Sequence, residues 1–395
     1  MVSHPRLTLA SGPVDVSAET LRAMQKPVLY HYDPVFLDTF RNTTGLMAQV
    51  FQTNYDIVLL QAEAIAGLEA AAASVIEPGT KVLNLVSGVF GKGFEDWIIK
   101  YGGEVIEIAV PYSAAIDPED VRRAFALDPE ISVVSVVHSE TPSGTINPIR
   151  EIGLIAREHG AITIVDTVSG LLSEDFSPEE WGMDIAVAGP QKCLSGVPGM
   201  SLISVSPEAW SRMEAMKTPL RGSFLSLLDW KSTWIDNGRF PYTPSVSDVY
   251  ALESVLQQTL AEGVANIVAR HQVSARATRA AVRALELELW AESEAIATSC
   301  CTAVAMPNGV DDAELRKVMR NKYGVMISGG YGSIAGKLFR LGHMGQSAHP
   351  TSVIAQIGIL ERSLVDVGYN VKLGEGVAAA LTEFANWNDE TRTYR

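Results

Sequence analysis

Two hydrophobic rhythms alternate through the middle of the chain. Residues 81–86, 104–110, 131–137, 161–166, 184–188 and 201–205 are short apolar runs rich in Val and Ile, the composition of buried strands. Between them, residues 93–101, 118–126 and 149–158 have helical composition and spacing, with apolar side chains three and four positions apart. Strands that are apolar on both faces need helices on both faces, so the alternation predicts an α/β fold with a mainly parallel sheet. From about residue 246 the rhythm turns helical, over 251–259 and 264–285. Short strand candidates at 303–306 and 337–340 and a final helix at 351–367 follow. The change divides the chain into a large α/β domain over 20–255 and a small α+β domain over 256–395 that also takes in residues 1–19.

Composition narrows the function classes. The 395 residues are 47% hydrophobic and 19% charged, enough to bury a large core. A net charge of -15 repels phosphate backbones and anionic lipid, so nucleic acid and membrane surfaces are poor partners. No apolar run reaches the roughly eighteen residues of a spanning helix, and residues 1–16 lack the apolar stretch of a signal peptide. The only cysteines are Cys193, Cys300 and Cys301, with no CxxC spacing. A disulfide framework and a metal site are not expected, and a reducing, cytoplasmic location is.

Two strand ends carry chemistry. Ala161-Ile-Thr-Ile-Val-Asp166 closes a strand on an acid. Asp184-Ile-Ala-Val-Ala-Gly-Pro-Gln-Lys192 closes the next strand on a tight turn and a lysine. Ligands of open α/β sheets bind beyond the carboxyl ends of the strands. An acid and a lysine at neighbouring ends suit pyridoxal chemistry. The amine condenses with the aldehyde and then carries a proton, and the acid keeps the pyridine nitrogen protonated so that the ring accepts electrons. On spacing alone the same residues also read as a loop lysine and a helix-capping aspartate.

Four motifs in order along the chain add a resemblance. Ser11-Gly-Pro-Val14, Val165-Asp166-Thr-Val168-Ser, Gly189-Pro-Gln-Lys192-Cys-Leu-Ser-Gly-Val-Pro-Gly199 and Phe339-Arg340-Leu-Gly-His-Met-Gly345 resemble the corresponding motifs of class V aminotransferases. The resemblance implies the aspartate-aminotransferase fold, fold type I of the pyridoxal enzymes. It implies Lys192 as the Schiff-base lysine and Asp166 as the partner of the ring nitrogen. Phe90 and Val168 would lie on the two faces of the ring, with Gln191 beside the lysine. Arg340 would hold the substrate carboxylate near Gly12, and an active site at the interface of a homodimer or homotetramer is implied as well.

One stretch departs from the ordinary family pattern. Where relatives place small polar phosphate-binding residues before the first large helix, this chain has Gln61-Ala-Glu63-Ala-Ile65. The phosphate-binding tyrosine that relatives take from the neighbouring subunit is replaced by Phe240, in Phe240-Pro-Tyr-Thr243. A carboxylate about 4 Å from a doubly charged phosphate, at an effective dielectric of about 20, is repelled by roughly 8 kcal/mol. These changes, with the runs Ser87-Gly-Val-Phe-Gly-Lys-Gly-Phe94 and Thr141-Pro-Ser-Gly-Thr-Ile-Asn-Pro148, resemble a small group within the family that uses free pyridoxal and pyridoxamine as substrates. That resemblance implies pyridoxamine and pyruvate as substrates in vitamin B6 degradation and no tightly bound cofactor. Glu63, Phe240 and Thr243 would join Phe90, Val168 and Gln191 around the vitamer. The carboxylate loop departs in turn from that group, with Tyr331 in the position of a second arginine. Two other readings stand beside this one. The first is a conventional alanine– or serine–glyoxylate aminotransferase with bound pyridoxal 5′-phosphate. The second is a non-catalytic vitamer-binding protein on the same fold.

Overall fold

The computed structural model describes residues 4–387, so the outermost parts of the two expected domain ranges, 1–3 and 388–395, lie outside the described residues. A seven-stranded sheet is built from β1 (Asp56–Leu60), β2 (Lys81–Val86), β3 (Glu104–Ala109), β4 (Val133–Val137), β5 (Ile162–Asp166), β6 (Ile185–Ala188) and β7 (Ser201–Val205). Its order is β1-β7-β6-β5-β4-β2-β3, and β7 alone runs antiparallel to its neighbours. The six strands expected from sequence are all present, whereas β1, ending in Val-Leu-Leu, was not anticipated. β4 to β7 are buried almost throughout, as Val and Ile runs covered on both faces must be.

Helices α1 (Pro34–Phe51), α2 (Ala64–Val75), α3 (Val89–Lys100), α4 (Pro118–Leu127) and α5 (Ile149–Glu158) flank this sheet. α2 lies close to it because its inner face is small: Ala70, Ala71, Ala72 and Ala73 are buried, and a methyl group at Gly67 would lie 2.6 Å from Ser201 Cβ. α3 begins at Val89, four residues ahead of the expected start, with Gly88 as its N-cap.

A second, smaller apolar cluster joins Leu9, Ala277, Leu315, Phe339 and Ile357. It packs around a three-stranded antiparallel sheet of β8 (Cys301–Ala305), β9 (Ser328–Gly329) and β10 (Leu338–Gly342). Leu7–Thr8 pairs in parallel with Val325–Met326, which ties the N-terminal segment to this part. Residue 255, near which the domain boundary is expected, lies inside the helix α6 (Val246–Glu262). The passage between cores runs along α7 (Val264–Ala284), where Ile267 belongs to the larger cluster and Ala277 to the smaller. The helix expected at 351–367 is present as Pro350–Asp366 but is not the last, because Glu375–Ala385 follows and packs on α7.

Candidate active site

Register brings the chemistry to one edge. Val137, Asp166 and Val187 stand side by side at the carboxyl ends of β4, β5 and β6. Four residues past β6, the chain turns back with Gly196 N–H donating to Pro190 O (2.6 Å), and Lys192 projects from that turn. A cavity of about 140 Å³ at this edge is lined by Glu63, Ile65, Phe90, Thr141, Asp166 and Lys192, among others. Val168 and Ser169 also line it.

Lys192 Nζ donates to Ser11 O at 2.8 Å. Gly12, with φ +93°, lets the entry loop pass directly over the lysine, since a methyl group there would lie 2.4 Å from Lys192 Cδ. Burial lowers the Lys192 pKa from the ordinary 10.5, and the nearby positive charge of Arg340 adds to the effect. Burial raises the Asp166 carboxyl to about 6, against the pull of Val168 N–H (2.9 Å) and of the Lys192 charge. A half-buried, desolvated carboxylate is well matched to a protonated ring nitrogen, which supplies a counter-charge.

Arg340 sits on β10 opposite Ala303 and Ser328. Its Nε donates to Gly329 O at 2.8 Å and its Nη1 to Thr141 O at 3.0 Å, which leaves other guanidinium donors for a carboxylate. Burial lowers its pKa, and the Arg316 charge contributes in the same direction. Arg316 is itself held by Asp312 through two bonds of 2.8 and 2.7 Å. Tyr331 is 58% exposed and lies 6.4 Å from the Phe90 ring, at the rim.

Glu63 is the N-cap of α2. Its Oε2 accepts from Ile65 N–H at 3.0 Å, and its Oε1 accepts from Gln191 Nε2 at 2.6 Å. Gln191 Oε1 is buried without a hydrogen-bond partner among the described residues. The helix N-terminus that would hold a phosphate therefore already carries the chain's own carboxylate. Lys192 and Asp166 suit a pyridine ring with an aldehyde or amine at the lysine, and the Ile65 N–H at the start of α2 is taken up by Glu63.

Phe240 and Thr243 do not line this cavity within the protomer. Phe240 is buried, stacked on Trp234 at 4.6 Å and set edge-on to Phe40 at 4.9 Å; with no hydroxyl to satisfy, it gains most by filling the aromatic core. Thr243 is exposed. Sequence reasoning missed Glu140, a fully buried acid just past β4 whose carboxylate faces α3. The available signal was the one used for Asp166, an acid closing an apolar strand, but here two residues intervene.

All three cysteines are free and buried, and no helix among the described residues is long and apolar enough to cross a membrane. Among the same residues no group of three or more His, Cys, Asp or Glu side chains is placed to hold a metal ion.

Comparison with known proteins gives the family and the fold. A pyridoxamine–pyruvate transaminase of Mesorhizobium japonicum is 44% identical over 379 residues, covering 96% of each chain. The crystal structure of a pyridoxamine–pyruvate aminotransferase from Mesorhizobium loti superposes with a TM-score of 0.95 at 43% identity, covering 97% of this chain and 98% of that one. A ureidoglycine–glyoxylate aminotransferase structure from Bacillus subtilis gives 0.93 at 29% identity, covering 98% and 100%. These neighbours share the fold type I architecture. Residues 27–345 match the family described as aminotransferase class-V, whose members are pyridoxal-phosphate enzymes, and the chain belongs to that family.

Proposed function

We propose that this chain transfers the amino group of pyridoxamine to pyruvate, giving pyridoxal and L-alanine, and that the vitamer enters and leaves as a substrate. The carrying observation is the Glu63 carboxylate capping α2 where a phosphate would sit. A fixed anion there accepts the vitamer's hydroxymethyl group and repels its phosphate ester. Lys192 and Asp166 lining one pocket, with Arg340 bonded to the carbonyl of its lining residue Thr141, argue for catalysis rather than vitamer storage.

The pyridoxamine amine condenses with the keto carbonyl, releasing one water, and a second water later splits the C–N linkage to pyridoxal and alanine. Between these events the ring supplies an electron sink and Lys192 stands free beside it. Lys192 Nζ, its pKa lowered by burial, takes the proton from the carbon next to nitrogen and returns it at the carbon across the C–N linkage. Asp166 holds a proton on the ring nitrogen throughout. Phe90 and Val168 keep the ring flat between them, and Gln191 steadies Glu63. Arg340 binds the keto-acid carboxylate through a two-point bond, with Gly12 and Tyr331 bounding that end. Without a phosphate anchor, vitamer affinity is modest and release is easy.

Phe240 and Thr243 are assigned to vitamer contacts across a subunit interface in a homodimer or homotetramer. Buried free cysteines suit a cytoplasmic enzyme. The test is an absorbance spectrum of the purified protein, followed by assay of pyridoxal formed from pyridoxamine and pyruvate. The expected protein carries no chromophore until pyridoxal is added and turns over the free vitamer. A chromophore that survives gel filtration and is released as pyridoxal 5′-phosphate would overturn the reading in favour of a conventional glyoxylate-type aminotransferase.

A further inference from the structure

Phe90 faces the ring cavity yet is 42% exposed, so side-chain packing alone holds it weakly. Its position must come from its backbone. That backbone belongs to the first turn of α3, whose N-cap, Gly88, offers no side chain to the unpaired N–H groups. Glu140 fills the gap from fifty residues away in sequence. Its Oε1 accepts from Gly91 N–H at 2.7 Å and its Oε2 from Phe90 N–H at 3.3 Å. The fit leaves no slack. A methyl group at Gly88 would lie 2.3 Å from the Glu140 carboxyl carbon, and one at Gly91 would lie 3.2 Å from its Oε1.

Glu140 is also fixed on its other side. Its carbonyl accepts from Gly144 N–H at 2.8 Å in the turn that joins Ser139–Glu140 to Thr145–Ile146. The next residue, Thr141, accepts from Arg340 Nη1 through its carbonyl. One short segment thus carries both the clamp on the ring-facing aromatic and a support for the carboxylate arginine. Burial pushes the Glu140 carboxyl up to about 7 against the two backbone donors, and the Asp166 charge pushes the same way, so the acid is kept here at a cost.

We propose that Glu140 is a positioning residue for the vitamer ring, clamping the first turn of α3 so that the Phe90 side chain stays over the ring. This rests on the assignment of the cavity to a pyridoxal ring. It adds a residue that touches neither vitamer nor keto acid and acts on the ring through Phe90.

The test is a double-mutant cycle read by titrating the protein with free pyridoxal and following absorbance. Glu140→Gln keeps the shape but leaves one of the two N–H groups facing an amide NH₂. We expect the pyridoxal dissociation constant to rise about tenfold in the Phe90 background and less than about twofold in the Phe90→Leu background, because both substitutions remove the same restraint. The KM for pyruvate should stay within about twofold, a split that general loosening of the fold does not produce. If Glu140→Gln does not fold, Gly88→Ala displaces the carboxylate without altering it and should give the same pattern. Independent, multiplicative effects of the two substitutions, or an equal rise for pyruvate, would overturn the proposal. A wild type that binds pyridoxal but does not transaminate it would sink the proposed activity and leave this cycle readable.

Discussion

Replacing Glu63 by Ser is the most direct challenge to the vitamer reading. A phosphate using the N-terminus of α2 needs the Ile65 N–H, which Glu63 Oε2 now occupies at 3.0 Å. A phosphate bound at that group would therefore lie within about 4 Å of the carboxylate. For charges of one and two units the repulsion is roughly 8 kcal/mol at an effective dielectric of about 20, and roughly 2 kcal/mol in bulk water. Glu63 is exposed within the protomer, so the lower figure is the safer floor. Even about 2 kcal/mol corresponds to roughly a thirtyfold preference. Serine is a good N-cap, so Glu63→Ser should keep α2 while removing the charge and freeing the helix end for an anion. It also strands Gln191 Nε2, which is buried and bonded to Glu63 Oε1 at 2.6 Å, at a cost of about 1–3 kcal/mol. The assay is the ratio of kcat/KM for pyridoxamine to that for pyridoxamine 5′-phosphate. The wild type should favour the free vitamer by at least about thirtyfold, and the variant should narrow that ratio by about tenfold or more. Full reversal is not expected, because Ile65 and Phe240 offer no side-chain donors. A wild type that prefers the phosphate ester, or a ratio that Glu63→Ser leaves unchanged, would refute the reasoning.

Lys192→Ala should abolish transamination with the fold intact, and borohydride reduction with pyridoxal should mark residue 192 of the wild type; a label elsewhere removes the assignment. Since burial lowers the Lys192 pKa, pyridoxal condensation should quicken with pH and level off below 10.5, and a midpoint at or above that value would contradict the buried geometry. Arg340→Lys keeps the charge but loses the planar fork, so the KM for pyruvate should rise well beyond that for pyridoxamine, whereas equal changes would mark Arg340 as structural. In parallel, Tyr331→Arg should lower the KM for pyruvate if a second arginine matters at the rim. Glu174 is a half-buried acid beside Thr298 and Ser299, and desolvation raises its pKa from 4.5 to about 7. A folded pKa above the unfolded one gives stability that is complete below about 4.5 and lost as pH rises through about 7. The Tm of the wild type should therefore fall relative to that of Glu174→Gln over this window, and parallel curves would place the pH dependence elsewhere.

What the sequence determined by itself was whatever local pattern can encode. Runs of Val and Ile marked β2 to β7 because a strand covered on both faces must be apolar along its length. Asp166 and Lys192 were legible because each follows such a run within a few residues, and Arg340 because its motif is contiguous. Two of the helices were harder. Residues 34–51 and 375–385 carry apolar positions on only one side, and the second lies past the last helix expected. The expected boundary near 255 lies inside α6, because a change in rhythm along the sequence need not interrupt a helix. Tertiary structure alone decided who meets whom. Strand order places the ends of β4, β5 and β6 side by side, and that order is set by crossovers no local rhythm records. The Glu63–Gln191 bond joins residues 128 apart, and the Gly91–Glu140 bond joins residues 49 apart. Phe240, which sequence likeness sets at the neighbouring subunit's ligand, packs within its own protomer against Trp234 and Phe40, contacts that no local pattern records. Periodicity fixes which face of an element is apolar, whereas a hydrogen bond between distant side chains depends on the packing distance between elements, which only the folded chain supplies.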